Sequence, residues 1–479
     1  MGHDRLPWSS RRNCSRHTSC HTSSNGGDVR GSSPPGGHVN TMTDMQASQE
    51  NTAYHWYVVG VLTFAYLVSF LDRQILALMV APIQADLSLS DTQMSLLMGL
   101  AFSIFYVFMA VPLGRLADQT VRRNIIIGGV TLWSIMTAAC GLAGTYLHLF
   151  LARMGVGIGE ASLTPSATSM IADYFPPGVR GKALATYNAG VSLGTGLAMV
   201  FGGMVITYVS TSTRHSLPVI GSVAAWQYVF FLVALPGLLV VLLMLTVREP
   251  ARQETSSATQ NLSFGEVLTF LHGRRTIYVP LFLGMSVNTI VGYALFSWIP
   301  TSFARVHGWT MGDIGLGYGL IILATGPLGV FLAGSLIDKL HRAGQQSGEL
   351  KVALLSIAIC LPGVVYLPLA ATGQAALMAM IPASIGPAMA TASGSIAVIN
   401  VTPNQIRGQT MALYLLTISL LGLSLGPTAV ALLTDYVFRD PAMIDWSISC
   451  VVIASSLFSA TMLWRCLQPF TEAVRETVN

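Results

Sequence analysis

The chain has 479 residues, 52% hydrophobic and only 10% charged, with a formal net charge of +4. Soluble domains carry about 25% charged residues, so this composition excludes a soluble globular protein and leaves little polar mass outside a bilayer. The six cysteines (Cys14, Cys20, Cys140, Cys360, Cys450 and Cys466) show no CxxC spacing, hence no disulfide framework and no metal site, and nothing points to nucleic acid.

In chain order, the first segment is rich in Ser, Gly, Arg, His and Pro, with SSPPGG at Ser32–Gly37 and no apolar core of a signal peptide. Residues 1–50 are therefore expected to be a disordered cytoplasmic extension, with the functional chain starting near Met42. Twelve apolar stretches long enough to span follow, at 56–81, 91–116, 124–147, 149–175, 180–209, 226–247, 277–303, 310–337, 351–371, 375–401, 406–434 and 443–467. Asp91 and Asp313, just before spans two and eight, are expected to satisfy free N–H groups at helix starts. Of the 25 Lys and Arg residues, twenty fall in the tails and even-numbered connections, three on the opposite side and two within spans. The positive-inside rule then places both termini in the cytoplasm, with short loops that suit a bacterial inner membrane. The predicted fold is an all-α membrane protein of twelve transmembrane helices in two six-helix pseudo-symmetric bundles: 51–247, a cytoplasmic linker 248–276, then 277–468 and a tail 469–479. An internal repeat supports the split. Gly114, Asp118 and Arg122 recur as Gly334, Asp338 and Arg342, and Arg180-Gly181 with Tyr187 recurs as Arg407-Gly408 with Tyr414.

Charge inside the spans is where chemistry is expected. Asp72 and Arg73, in Phe70–Met79 (FLDRQILALM), lie deep in span one, where each charge costs about 2.5–3.5 kcal/mol on insertion scales. Adjacent residues on a helix point about 100° apart, so each needs a partner on another helix. Span four offers Arg153 and Glu160, two turns apart on nearly one face, with Gly155, Gly157 and Gly159 between them allowing close helix approach. Asp72 and Glu160 are the expected protonation sites and Arg73 the ligand for an anionic substrate group. Arg153 is a further substrate-binding candidate, or a residue that snorkels to the membrane face. Tyr187, Asn288 and Tyr414 are candidate cavity-lining residues, or polar glue between helices. A gate is expected from Gly114, Asp118, Arg122 and Arg123, with Asp338 and Arg342 in the second copy; the alternative there is a topology signal. GVSLG at Gly190–Gly194 and GLSLG at Gly422–Gly426 match a hydrolase motif, but that motif needs a strand–turn–helix elbow and these serines fall within apolar helices. An enzyme is not expected.

GRLADQTVRR at Gly114–Arg123 resembles the loop 2–3 signature of the major facilitator superfamily, and GSLIDKLHR at Gly334–Arg342 resembles its second copy. Within it, FLDR in span one, RMGVGIGEAS (Arg153–Ser162) and IADYFPPGVRGKALA (Ile171–Ala185) resemble the Spinster-like lysolipid and sphingolipid transporters. That resemblance implies alternating access, carboxylates for coupling and an arginine for the head group. The expected function is proton-coupled secondary transport of an amphipathic lipid (a lysophospholipid or sphingosine-phosphate-like molecule) by a monomer without a cofactor. The alternative is proton-coupled symport of a small hydrophilic organic anion.

Overall fold

The computed structural model describes residues 41–210, 214–217, 221–252 and 264–478. Of the extension expected to be disordered, residues 1–50, positions 1–40 lie outside the described residues, as does the polar part of the linker, Gln253–Asn261, whereas Thr41–Glu50 is helix. By contacts, residues up to Glu50 form one unit, of which Thr41–Glu50 is described, as helix; Asn51–Asn479 form the other.

The first half comprises α1 (Thr41–Leu78), α2 (Val80–Leu87), α3 (Asp91–Met98), α4 (Leu100–Gln119), α5 (Arg122–Cys140), α6 (Tyr146–Glu160), α7 (Leu163–Tyr174), α8 (Pro177–Val209) and α9 (Ala225–Thr246). After α10 (Phe264–Gly273), the second half comprises α11 (Arg275–His307), α12 (Met311–Arg342), α13 (Gly348–Tyr366), α14 (Gly373–Val401), α15 (Arg407–Leu432) and α16 (Ile444–Val478). A two-stranded antiparallel hairpin, Arg214–Leu217 with Gly221–Ala224, joins α8 to α9. Among the described residues, eleven continuous helices are long and apolar enough to cross a membrane, one fewer than the sequence predicts. The expected span 149–175 is broken after Glu160 into α6 and α7. Pro165 explains the break: a proline ring collides with the carbonyl four residues back, here Ala161, and supplies no N–H. Ser162, at the break, donates instead to the carbonyl of Gly159 at 2.8 Å. The same rule ends α1 at Leu78, four residues before Pro82. In the second half α11, α12, α14 and α15 run for 33, 32, 29 and 26 residues and absorb their prolines without a break. All helix breaks near the charged residues are thus in the first half.

The expected capping roles of Asp91 and Asp313 belong to their neighbours. Ser90 caps α3 in a reciprocal pair with Gln93, and Thr310 caps α12. Asp91 is freed for another partner. Its carboxylate is gripped in a two-pronged fork by Arg305 of α11, at 2.7 and 2.6 Å, and Gln84 bonds both residues. One residue on, Thr92 donates its N–H and hydroxyl to Asp435, each at 2.7 Å, from a π-helical turn at Leu433–Phe438. This clamp ties the two halves together at the end opposite the one rich in Arg and Lys.

The halves meet along two seams, α8 against α12 and α15 against α3–α4. Both are backbone-tight. A Cβ on Gly319 would lie 2.9 Å from the carbonyl of Gly196, and one on Gly99 would overlap the carbonyl of Leu423. Gly319 follows Gly99 by 220 residues and Leu423 follows Gly196 by 227, the offsets of the repeated motifs, so the two contacts are pseudo-symmetric. Apolar packing is continuous across both halves at the clamped end, where Ile75, Leu97 and Met98 join Ile290, Ala294, Trp298 and Val430. Toward the basic end the cores separate into one around Trp133 and Tyr187 and others around Tyr414 and Met389. A Cβ on Gly178, Gly181, Gly334 or Gly408, all at the basic end, would meet nothing within 4 Å. The apolar packing shared by the two halves thus gathers at the clamped end.

Candidate functional site

Where the two halves face each other, α1 and α6 bring four charges together. Arg73 Nε donates to Glu160 Oε2 at 2.6 Å, with the Glu160 side chain fully buried and that of Arg73 14% exposed. Arg153 donates through Nη1 to the backbone carbonyl of Asp72 at 3.2 Å. Asp72 and Arg153 are each 1% exposed, so Arg153 does not snorkel. Arg73 thus finds its partner on the span-four helix, whereas the Asp72 carboxylate makes no ion pair there and its Oδ1 is buried without a hydrogen-bond partner among the described residues. Glu160 is the last residue of α6, beside the break that Pro165 imposes. The glycines of α6 permit this approach: a Cβ on Gly157 would lie 2.5 Å from the carbonyl of Phe102, and one on Gly159 would lie 2.7 Å from that of Gly129.

The arginine is held on its faces as well as its edge. The Arg73 guanidinium lies 5.0 Å from the Phe70 ring centre, 4.7 Å from that of Phe102 and 4.9 Å from that of Tyr106, and Arg153 lies 5.7 Å from the same Phe102 ring. Nη1 and Nη2 of Arg73 make no hydrogen bond among the described residues, and Arg73 lines a pocket between the halves. The first half supplies Arg73, Arg153 and Gln74 to that pocket; the facing wall is Tyr293, Phe296, Ser297 and Leu423. The first half also contributes Phe70, Ala77, Met98 and Phe102, so apolar surface lines both sides of the pocket and charge only one. Such a site suits a ligand with one anionic end and an apolar body.

The remaining candidates are placed as follows. Tyr187 is buried and stacked on Tyr66 at 4.8 Å, Tyr414 is buried beside Phe282, and Asn288 is 5% exposed; none lines the pocket. Asp118, Asp338 and Arg342 are exposed. Asp118 has no hydrogen-bond or ion-pair partner among the described residues, and Arg342 reaches only the carbonyl of Asp338, at 3.3 Å. Gly114 is loosely packed, a Cβ there lying 3.9 Å from Pro165. Arg122 is instead buried between two carboxylates, Asp173 at 2.5 Å and Glu249 at 2.7 Å, and Arg123 holds the carbonyl of Val247 at 3.1 Å. These residues fasten the start of the linker to α5. Arg122→Ala removes the cation shared by Asp173 and Glu249, and is expected to cost up to about 3 kcal/mol. Thermal unfolding and limited proteolysis near Glu249 measure it. Ser192 and Ser424, the serines of the two hydrolase-like motifs, sit inside α8 and α15, and Ser424 hydrogen-bonds Ser103 across the seam at 2.6 Å.

Phe102, Gln74 and the Asp91–Arg305 clamp were not singled out from sequence. The available signal for Phe102 was its i, i+4 spacing to Tyr106, which stacks on it at 5.3 Å. Aromatic pairs of that spacing are common in apolar spans, whereas buried charge is rare.

Comparison with known proteins fits this geometry. The chain is 29% identical over 415 residues to an MFS-type efflux pump of Mycolicibacterium smegmatis, covering 85% of this chain and 92% of that one. It is 25% identical over 310 residues to a hexuronate transporter of Bacillus subtilis, covering 64% of this chain and 69% of that one. It is 27% identical over 302 residues to protein spinster of Drosophila melanogaster, covering 59% of this chain but only 46% of that one. The crystal structure of a bacterial homologue of the human lysosomal transporter Spinster, inward-facing and unoccupied, superposes with a TM-score of 0.72 at 28% identity, over 89% of this chain and 98% of that one. A family model for the Major Facilitator Superfamily matches residues 62–427. The eleven candidate spans and this match together establish that the chain is an integral membrane transporter belonging to the Major Facilitator Superfamily.

Proposed function

We propose that the protein is a proton-coupled secondary transporter that moves an amphipathic lipid with an anionic head, of the lysophospholipid or sphingosine-phosphate type, by alternating access. The observation that carries this reading is that arginine charge from one half alone enters a pocket whose other lining, from both halves, is mostly apolar. Arg73 presents Nη1 and Nη2 from one half toward a wall of Tyr293, Phe296 and Leu423 on the other. The head group docks on Arg73, and the apolar wall receives the start of the acyl chain. Glu160, fully buried on Nε of the same arginine, is the coupling carboxylate, with Asp72 the second proton site. When a substrate anion draws the guanidinium, Glu160 loses its counter-charge and takes a proton. The lysine and arginine distribution makes the basic end cytoplasmic, with both termini inside and the clamp on the far face, in a bacterial inner membrane. The protein works as a monomer and needs no cofactor beyond the coupling proton.

A specific observation favours a second reading, symport of a small hydrophilic organic anion: one relative is named as a hexuronate transporter. Binding to nanodisc-embedded protein separates the two. Saturable binding of lysophosphatidylglycerol, weakened at least tenfold in Arg73→Ala, is the expected result, since a charge-assisted contact contributes roughly 1.5–3 kcal/mol. Binding of glucuronate alone would replace the lipid by the organic anion.

A further inference from the structure

The Arg73–Glu160 pair is made by one bond where two are available. Glu160 Oε1 is buried and accepts no hydrogen bond from Arg73. Arginine and carboxylate prefer a two-pronged fork, and the Asp91–Arg305 pair adopts it. Something holds Arg73 back from closing the same fork on Glu160. The restraint is aromatic. Of the three rings around the guanidinium, Phe102 is nearest, at 4.7 Å, and it is 1% exposed. It is also the one shared with Arg153, at 5.7 Å. The ring itself is fixed: Tyr106 stacks on it at 5.3 Å, and Gly157 presses on its backbone carbonyl. The next residue, Ser103, bonds Ser424 of the opposite half.

We infer that Phe102 is a positioning residue that keeps the Arg73–Glu160 pair open. It holds the guanidinium plane so that Nε alone serves Glu160, leaving Nη1 and Nη2 for a substrate anion and Oε1 for a proton. Without an aromatic face at position 102, Arg73 turns into a closed fork with both carboxylate oxygens, and the two functions of the pair block each other. The inference rests on the reading of Arg73 as the anion ligand. It adds that the geometry of this arginine, and not its presence alone, is what the site is built to secure.

The test compares Phe102→Leu and Phe102→Met, which fill space without a π face, with Phe102→Tyr, which keeps one. Two readouts are made on the full chain in nanodiscs. The first is the rate at which phenylglyoxal modifies Arg73, followed by mass spectrometry. The second is the affinity for lysophosphatidylglycerol. Both non-aromatic variants are expected to slow modification of Arg73 and to weaken lipid binding by roughly threefold to thirtyfold, the range spanned by a cation–π contact. The tyrosine variant is expected to match the wild type in both. In a Glu160→Gln background no fork with a carboxylate can form, so modification of Arg73 is expected to become insensitive to residue 102. Wild-type modification rates in the leucine and methionine variants would overturn the inference, as would a tyrosine variant as impaired as leucine. If the wild type binds no lysophosphatidylglycerol, the lipid reading fails, while the phenylglyoxal rates still decide the role of Phe102.

Discussion

Arg305→Ala is expected to open the clamped end. The substitution removes a fork whose carboxylate, on Asp91, is 4% exposed, and it leaves that carboxylate facing Gln84 alone. Truncating one partner of such a pair costs about 2–5 kcal/mol in the state that contains it. The open state, in which Asp91 is hydrated, bears none of this cost. Taking about 2 kcal/mol, the ratio of open to closed molecules rises roughly thirtyfold. Spin labels at Ser88 and Val437, both exposed and on opposite halves, report the change as a longer distance component. Arg305→Lys keeps the charge but not the planar fork, and is expected to recover the closed population only in part. A distance distribution identical to that of the wild type in Arg305→Ala would mean that the apolar core alone closes this end.

The second large effect concerns coupling. In proteoliposomes with a one-unit pH difference, one proton per substrate sustains a roughly tenfold concentration ratio, because one pH unit is worth about 1.36 kcal/mol. Glu160→Gln is expected to abolish that accumulation while leaving downhill exchange measurable. The glutamine amide is nearly the same shape as the carboxyl and still accepts from Arg73 Nε, so the helices keep their packing. It cannot take up a proton. Asp72→Asn is the comparison: Asp72 makes its contact to Arg153 through its backbone carbonyl, which the substitution preserves. Accumulation that survives in Glu160→Gln but is lost in Asp72→Asn would move the coupling role from α6 to α1.

What could be read from sequence followed the cost of burial. Asp72, Arg73, Arg153 and Glu160 stood out because charge in an apolar span must find a partner, and the adjacency of Asp72 and Arg73 forced both partners onto other residues. The all-α membrane class and eleven of the expected spans were legible from hydropathy. Interactions at span ends were not. Asp91 there looks like a helix cap, and nothing local distinguishes a cap from half of a clamp whose other half lies 214 residues away. Arg122 was read with Asp118, its neighbour on the loop, whereas the fold delivers Asp173 and Glu249 to it. The break after Glu160 had a signal, Pro165, but a long apolar run concealed it. Phe102 shows the same limit: an aromatic residue among many becomes particular only when two arginines converge on it.

The continuous apolar core at the clamped end has a thermal consequence. Opening that end wets side chains such as Leu97, Ile290 and Trp298, which are now packed across the halves. Exposing apolar surface raises the heat capacity by about 0.45 cal/K/mol per Å². When this gain exceeds the loss from closure of the basic end, the enthalpy of opening rises with temperature, and the open-to-closed ratio has a minimum where it crosses zero. Because apolar burial weakens on cooling, chilling the protein favours the open form, as heating does. A plot of the logarithm of transport rate against inverse temperature should be bowed, and the bow marks how much oil-like surface each cycle uncovers.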